Sequence, residues 1–238
     1  MTTGRRGWCG VLLTMLLVTP LAAAQPAPPV ELSGATFADL DEATGVWTLR
    51  GAPVTVRRGP VTIQAPLLTY DRRAQIVRAA GGVRYTDAAL VIEAPQITAW
   101  LAEDRLVAEA GVTAEQRIEQ LRLTAGRLEA FNRERRLLAT GDPVLVAPEG
   151  RLAADRIEVF AARGDVVAEG NGRFAFEQIE GRAPHITVRQ QPPTAVLSGG
   201  AVVRQGPNEL QAATVTVDLQ RRRMTAQGSA VVTVHPGR

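Results

Sequence analysis

The sequence predicts an all-β fold, an elongated antiparallel β-jellyroll or open sandwich built from about seven repeats of 29–31 residues. Three observations predict it: two residue markers that share one period, apolar residues that alternate with polar ones, and a scarcity of aromatic residues. The repeat comes first in the argument, because a period of about 20 to 50 residues decides the whole architecture.

The first marker is an alanine that stands two or three places before a glycine. It falls at positions 79, 108, 139, 168 and 226, and Leu197 occupies the remaining place. The second marker is an alanine followed by proline, glycine or alanine, at 65–66, 94–95, 125–126, 153–154, 183–184 and 212–213. Two independent markers with one period exclude chance, and the less regular segments 33–51 and 230–234 suit the ends of a repeat array.

Inside a unit the apolar residues recur at every second position, which indicates strands with one apolar and one polar face. The alternation is clear in 61–65, 90–94 and 121–125. Composition alone would allow a helix over 117–131, but the repeat aligns this stretch with strands in the other units. A flat sheet of roughly 14 to 16 strands would leave one apolar face in water, so we expect two facing layers.

The composition narrows the class of protein. Hydrophobic residues make up 45% and charged residues 21% of the 238 positions, which excludes a disordered chain and a multi-span membrane protein. Aromatic residues amount to only 4%. An interior of small and branched side chains suits a thin layer that fills itself or holds acyl chains.

The N-terminal segment has the features of a secretory signal peptide. Arg5 and Arg6 form its basic start, 11–18 its apolar stretch and 22–24 its small-residue cleavage site. We expect a signal peptide at 1–24, a Pro-rich linker at 25–31, the repeat domain at 32–238 and a periplasmic location. Export by the Sec or the twin-arginine route stays open.

Cleavage changes the electrostatics. The whole chain has 27 basic and 24 acidic residues, a net charge of +3, and the loss of Arg5 and Arg6 leaves about +1. Every basic residue is arginine, so the pI near 9.9 belongs largely to the precursor and no nucleic-acid partner is expected. The only cysteine, Cys9, lies in the signal peptide, which leaves no disulfide and no cysteine metal site.

Residues for catalysis or metal binding are scarce. His185 and His235 lie about 50 positions apart, outside any metal-binding motif, and no G-x-S-x-G motif is present. We interpret His185 as an outward strand residue, and Asp155 and Asp165 as turn or strand-edge residues rather than a catalytic pair. The sequence therefore predicts no enzyme activity, no cofactor and no metal.

One unit carries a family resemblance in the order of its elements, GVRYTDAALVIEAPQITAWLAEDRLVAEAGV at 82–112. The elements of this unit come in a fixed order: a strand that begins with glycine, a strand with an apolar-x-Ala pattern, a short hairpin, and a strand that contains A-x-x-G. The same order recurs over roughly 32–234. This order resembles the OstA-like or LptA-like family of lipopolysaccharide-transport bridge proteins. The resemblance implies a twisted, V-shaped antiparallel jellyroll whose apolar groove carries the acyl chains of lipid A. It also implies lipid-transport partners at the inner and outer membranes and an end-to-end homo-oligomer.

Strand parity then predicts which side chains line the groove for lipopolysaccharide or a similar acylated envelope lipid. They are Val61, Ile63, Val83, Tyr85, Leu90, Ile92, Ile97, Leu121 and Leu123. A one-residue bulge would turn a whole row outward. Arg72 and Arg73 are the candidate contacts to lipid phosphate, although turn arginines also serve simply as solvated charge.

Two other functions remain open at this point. A structural or carbohydrate-binding β-solenoid of the cell envelope would need exposed aromatic residues in a row, for which Tyr70, Trp100, Phe131 and Phe160 are the candidates. A β-helical polysaccharide lyase or hydrolase would need clustered acids and bases on one face, and no such cluster stands out in the sequence.

Overall fold

The computed structural model describes residues 28–116 and 120–234. The predicted signal peptide and His235 lie outside the described residues. The described elements are strands: β1 (Glu31–Asp41), β2 (Val46–Arg58), β3 (Val61–Asp71), β4 (Ile76–Thr86), β5 (Leu90–Trp100), β6 (Arg105–Gln116), β7 (Leu121–Phe131), β8 (Arg136–Thr140), β9 (Val144–Ala147), β10 (Gly150–Ala153), β11 (Arg156–Phe160), β12 (Asp165–Phe176), β13 (Ile179–Arg189), β14 (Thr194–Gln205), β15 (Asn208–Asp218), β16 (Arg223–Gln227) and β17 (Val231–Thr233). The predicted all-β class is confirmed, and β7 is a strand where composition would have allowed a helix. In the part of the chain that the structure describes, no helix is long and apolar enough to cross a membrane.

The strands pair antiparallel, and from β1 to β7 and from β12 to β15 each pairs with its neighbours in sequence. Between these two runs, β8 pairs with β11 and β9 pairs with β10. β8 and β9 are two parts of one strand interrupted at 141–143, since both pair with β7. β10 and β11 likewise both pair with β12, and β16 and β17 both pair with β15.

Each long strand changes direction near its middle, and the two sequence markers lie at this bend. In β4 the register shifts between Ala80 and Val83, where Gly81 and Gly82 have φ angles of 92° and 91°. Such backbone favours glycine, because a side chain there is strained. On the neighbouring strand the bend holds Pro66, which would lie 3.5 Å from a Cβ at Gly81. Ala-Pro on one strand and Gly-Gly on the next therefore build the corner together.

The bends divide the sheet into two facing layers. Layer A contains the strand halves that end in the four-residue turns 42–45, 72–75, 101–104, 132–135, 161–164, 190–193 and 219–222. Layer B contains the other halves, joined by short turns such as 59–60, 148–149, 177–178 and 206–207. The two rows of turns border an open side, which we call the mouth, opposite the bends.

Aspartate side chains close several turns of layer A. Oδ1 of Asp41, Asp71 and Asp218 accepts hydrogen bonds from the backbone N–H groups two and three residues later. The bond from the Arg221 N–H lowers the pKa of Asp218 below its ordinary value. These carboxylates accept hydrogen bonds from turn N–H groups that have no partner in the pairing of the strands.

The core between the layers consists of residue rows that run across the strands. The inward row of layer A is Leu49, Leu68, Ala79, Ile97, Ala108, Leu128, Ala139, Ile157, Ala168, Ile186, Leu197, Val215 and Ala226. Large side chains and alanine alternate from Leu68 to Ile186. The first sequence marker is thus the small member of this row, and Leu197 replaces it in one unit.

The facing row of layer B is Leu32, Val56, Ile63, Tyr85, Ile92, Ala114, Leu123, Leu145, Leu152, Phe174, Gly181, Val203, Leu210 and Val232. Where layer A carries Leu197, layer B carries Gly181, and a Cβ on this glycine would overlap Cδ2 of Leu197. The side-chain sizes of the two layers are therefore matched to each other.

Candidate functional site

The apolar interior between the layers is the candidate site, and the nine predicted groove residues all point into it. Eight of them lie on the inner face of layer B, and Ile97 faces them from layer A. Ile63, Val83, Tyr85, Ile92, Ile97, Leu121 and Leu123 are buried, and Val61 and Leu90 are half-buried and pack against the core. The interior is largely filled by its own side chains, and open space lies where the layers meet solvent.

One entrance lies at the mouth, beside β3. A cavity of about 260 Å³ opens there between Val61, Ile63 and Tyr85 of layer B and Ala99 and Leu106 of layer A. This exceeds the about 150 Å³ of an engineered apolar cavity that binds benzene. The entrance is therefore large enough for a short apolar group.

Polar side chains border this entrance. Arg58 reaches across the mouth and donates from Nη1 to the Leu101 carbonyl oxygen at 2.8 Å, which links the two layers. Asp104 and Arg105 line the same cavity. An apolar cavity below and a charged border above suit an amphipathic ligand.

Tyr85 also lines this cavity and carries a polar hydroxyl group. Its hydroxyl donates to Oδ2 of Asp87 at 3.1 Å. Burial raises the pKa of Tyr85, and the neighbouring Asp87 carboxylate adds to the shift. The phenol thus stays neutral and leaves the cavity wall uncharged.

A second opening lies at the N-terminal end of the array. It has a volume of about 650 Å³ and is lined by Leu32, Trp47, Leu49, Tyr70 and Arg72, among others. The structure thereby separates the two predicted phosphate contacts. Arg72 borders this opening, whereas Arg73 donates from Nη2 to the Glu42 carbonyl oxygen at 3.4 Å and lies against the preceding turn.

The candidate aromatic row falls on two faces of the sheet. Trp100, Phe131 and Phe160 lie half-buried on the outer face of layer A, while Tyr70 points inward and packs against the core. Arginines lie over the three outer rings, with the guanidinium carbon of Arg105 4.7 Å from the Trp100 ring centre and that of Arg136 4.0 Å from the Phe131 centre. The face of Phe160 is covered at 4.4 Å by Arg163. Rings already covered by cations offer little stacking surface to a sugar.

The titratable residues singled out in the sequence have local roles. His185 is exposed on a strand, with Nδ1 3.9 Å from Oε1 of Glu169. Asp155 accepts hydrogen bonds from the Asn171 side chain, and Asp165 pairs with Arg163 at 3.5 Å. Across 28–116 and 120–234, no group of three or more potential metal ligands comes together.

Apart from Ile97, sequence reasoning missed the layer A side of the interior. Ala99 and Leu106 at the mouth, and Trp47 and Leu49 at the N-terminal opening, lie opposite the predicted residues. Alternation within each strand half would have identified them. At the bend, however, the inward positions change from odd to even residue numbers or the reverse. Alternation counted from the layer B half of a strand therefore places the layer A residues on the wrong face.

The comparisons with known proteins place this architecture in a family. The model of the LptA/(LptD N-terminal domain) LPS transport protein family matches residues 35–223. The chain belongs to this family. The expected resemblance is thereby confirmed, and the family is one of transport proteins.

Similarity to individual proteins is more distant. No curated protein matches the chain significantly. One solved structure with a similar fold is LptH from Pseudomonas aeruginosa, described as the LptA-homologous periplasmic component of the lipopolysaccharide transport device. The identity is 16% and the TM-score 0.47, with 50% of this chain and 98% of that chain covered. The family assignment rests on the match over 35–223.

Proposed function

We propose that this protein is a periplasmic lipid-binding bridge that carries lipopolysaccharide or a related acylated lipid toward the outer membrane, without catalysis. The observation that carries the proposal is the apolar interior, whose two facing rows continue from strand to strand along the array. Family membership supports the same class of cargo. A continuous apolar path allows acyl chains to move along the molecule without meeting a charged side chain.

The binding mechanism is passive. Each buried methylene contributes about 0.8 kcal/mol, so about ten methylenes of an acyl chain contribute about 8 kcal/mol. Opening the mouth beside Arg58 breaks its bond to the Leu101 carbonyl, which costs about 1.5 to 3 kcal/mol. Acyl burial therefore exceeds the loss of this hydrogen bond, and the head group remains among charged residues at the border.

Handover to a neighbouring molecule would occur at the ends of the array. Phe37 on β1 is 53% exposed, and Val231 and Val232 on β17 are 59% and 63% exposed. β1 and β17 are edge strands, and an edge strand can add a strand of another chain. We propose that end-to-end stacking, and docking to transport components at each membrane, uses these apolar edges.

The organisation of the precursor belongs to the same proposal. Residues 1–24 act as a signal peptide, 25–31 as a Pro-rich linker, and 32–238 as the lipid-carrying domain in the periplasm. N-terminal sequencing of protein from the periplasmic fraction tests this division. A chain that retains Met1 would contradict it.

Photo-crosslinking to labelled lipopolysaccharide tests the interior directly. We place a small diazirine side chain at Val61 or Leu90, where half-burial tolerates the probe, and at Thr62 or Glu93 as outward controls on the same strands. Crosslinks should form from the first pair only. Equal crosslinking from both pairs, with folding verified by circular dichroism, would refute binding between the layers.

Native mass spectrometry of protein purified from its own envelope complements the crosslinks. It should show a bound acylated lipid and a ladder of oligomers. Protein that is folded and lipid-free, and that takes up no lipopolysaccharide from micelles, would contradict the transport role.

The rim arginines make separate predictions within this proposal. Arg72 borders the N-terminal opening, so Arg72→Ser should weaken binding of lipid that carries phosphate and leave dephosphorylated lipid unaffected. Arg73→Ser is the matched control, because Arg73 already bonds to the Glu42 carbonyl. Unchanged binding by Arg72→Ser would remove this arginine from the site.

A further inference from the structure

Several arginines on the outward faces of the strands stand directly opposite a glutamate on the neighbouring strand. The register pairs of this kind are Arg84 with Glu93, Arg122 with Glu115, Arg127 with Glu109, Arg156 with Glu169 and Arg204 with Glu209. Each pair also forms an ion pair. At these places the outer surface is charge-matched from one strand to the next.

Arg173 on β12 breaks this pattern, because its register partner on β13 is Arg182. Both side chains are exposed, and within 28–116 and 120–234 neither forms an ion pair. Like charges directly opposite each other destabilise a sheet. Glu209 lies close enough to Arg182 for the two charges to attract each other, but Arg173 and Arg182 together still leave an excess of positive charge that an anionic ligand would neutralise.

The two arginines stand in a concavity of the outer face of layer B, with a volume of about 470 Å³. Small side chains form its floor: Ala153, Ala175 and Val202. Longer side chains surround them: Arg151, Arg173, Arg182, Arg204 and Glu180. The small floor residues leave room between the arginines, and the surrounding charge is net positive.

We propose that this concavity binds the phosphate group of a phosphate ester, with Arg173 and Arg182 holding the phosphate between them. Adjacent strands lie about 4.8 Å apart, so two guanidinium groups can converge on one tetrahedral oxyanion. Arginine binds phosphate through paired N–H donors, which gives strong, charge-assisted hydrogen bonds. Arg151 adds a third cation without an ion pair in the described part of the chain.

Glu180 indicates which chemical groups accompany the phosphate in the ligand. Its carboxylate lies in the same concavity and stands opposite Arg204, which is already paired with Glu209. A carboxylate only accepts hydrogen bonds, so it suits hydroxyl groups next to the phosphate. The class is therefore a phosphate ester with neighbouring hydroxyls, carried by a soluble sugar phosphate or by a lipid head group.

This site is separate from the apolar interior. The strand residues that alternate with the arginines, such as Leu152 and Val203, are buried in the core and face the other way. Occupation of the outer site therefore requires no opening of the layers, and the proposal stands independently of the cargo in the interior.

The test compares the full exported chain with Arg173→Gln/Arg182→Gln and with a control, Arg84→Gln/Arg122→Gln. The control removes the same charge from the outer face of the same layer, at arginines that stand opposite glutamates. Calorimetric titration at constant ionic strength uses glucose 1-phosphate as the soluble probe. Flotation with phosphatidylcholine vesicles, with and without phosphatidylinositol 4-phosphate, provides the lipid probe.

Loss of the two arginines should weaken binding of the phosphate ester about tenfold or more, while the control stays within about twofold of the wild type. Arg173→Gln alone should leave the thermal midpoint of the ligand-free protein unchanged or higher, since it removes the repulsion from Arg182. Binding of glucose 1-phosphate supports a soluble source, and phosphate-dependent flotation alone supports a lipid head group. Absence of both, or an equal loss in the control variant, would overturn the proposal.

Discussion

The contact between Gly181 and Leu197 makes a quantitative prediction about how the two layers fit together. Gly181→Ala places a methyl group closer than van der Waals contact to Cδ2 of Leu197, which is fully buried. Overpacking of this kind costs about 1 to 3 kcal/mol of unfolding free energy. Leu197→Ala alone leaves a cavity and costs about 2 to 5 kcal/mol.

The double variant should be more stable than the sum of the two changes implies. The Leu197→Ala change restores the small residue that other units carry in this row, and the methyl group added by Gly181→Ala fills part of the vacated space. We expect a coupling free energy of about 1 to 2 kcal/mol, within the range measured for residues in contact.

Urea unfolding followed by the fluorescence of Trp47 and Trp100 measures the four free energies of this cycle. Gly181→Ala combined with Leu128→Ala is the control, because Leu128 occupies the same row several strands away and should be additive. A coupling below about 0.3 kcal/mol for Gly181 with Leu197 would refute the idea that the two layers are matched in size at this point.

Three further predictions concern the bends, the turns and the edges. Gly82→Ala should cost about 1 to 3 kcal/mol of unfolding free energy, measured by urea titration. The cost comes from backbone strain at a φ of 91° alone, since the added Cβ would touch nothing within 4 Å. Gly206→Ala should cost less in the same titration, because its φ of 56° lies in the left-handed region that other residues can adopt. Asp218→Asn should lower the thermal midpoint at neutral pH. Because the folded-state pKa of Asp218 is depressed, its stabilisation is lost as the pH falls through that value, so the gap to the wild type should close below about pH 4; a constant gap would exclude the carboxylate charge. Val232→Lys should reduce concentration-dependent association in sedimentation velocity without changing the circular dichroism spectrum, whereas unchanged association would exclude the β17 edge as an interface.

The repeat length and the inward or outward direction of many strand residues could be predicted from sequence, because both depend on the local alternation of apolar and polar residues. Ile63, Tyr85, Ile92 and Leu123 recur at equivalent places in their units, and the structure puts them in one inward row. The prediction needed only that neighbouring strands pair in order. Whether lipid contacts these side chains stays a prediction.

The bend in each strand could not be predicted, although its residues were visible as the second marker. Inward positions are odd before the bend of β3, at Ile63 and Ala65, and even after it, at Leu68. The aromatic row shows the consequence. Tyr70 lies five positions after its marker alanine, whereas Trp100 lies six after its own, so the two rings point to opposite faces. The difference in spacing is present in the sequence, but its effect on the direction of the two rings follows only once the bend is known.

The outer arginine site was missed for a different reason. Arg173 and Arg182 lie nine positions apart in sequence and meet only through the register of β12 with β13. The two-residue turn at 177–178 sets this register, because it makes Phe176 the partner of Ile179. The length of that turn is not visible in the alternation of apolar residues.

Pairing of each strand with its sequence neighbours alone has a consequence for the length of the molecule. A segment such as 165–193, which contains β12, β13 and the turn that follows each of them, can be deleted or duplicated and still leave equivalent strands to pair. Each such change alters the array by two strand spacings, about 10 Å. The distance that one subunit spans is therefore adjustable in discrete steps, without redesign of the core or rerouting of the chain.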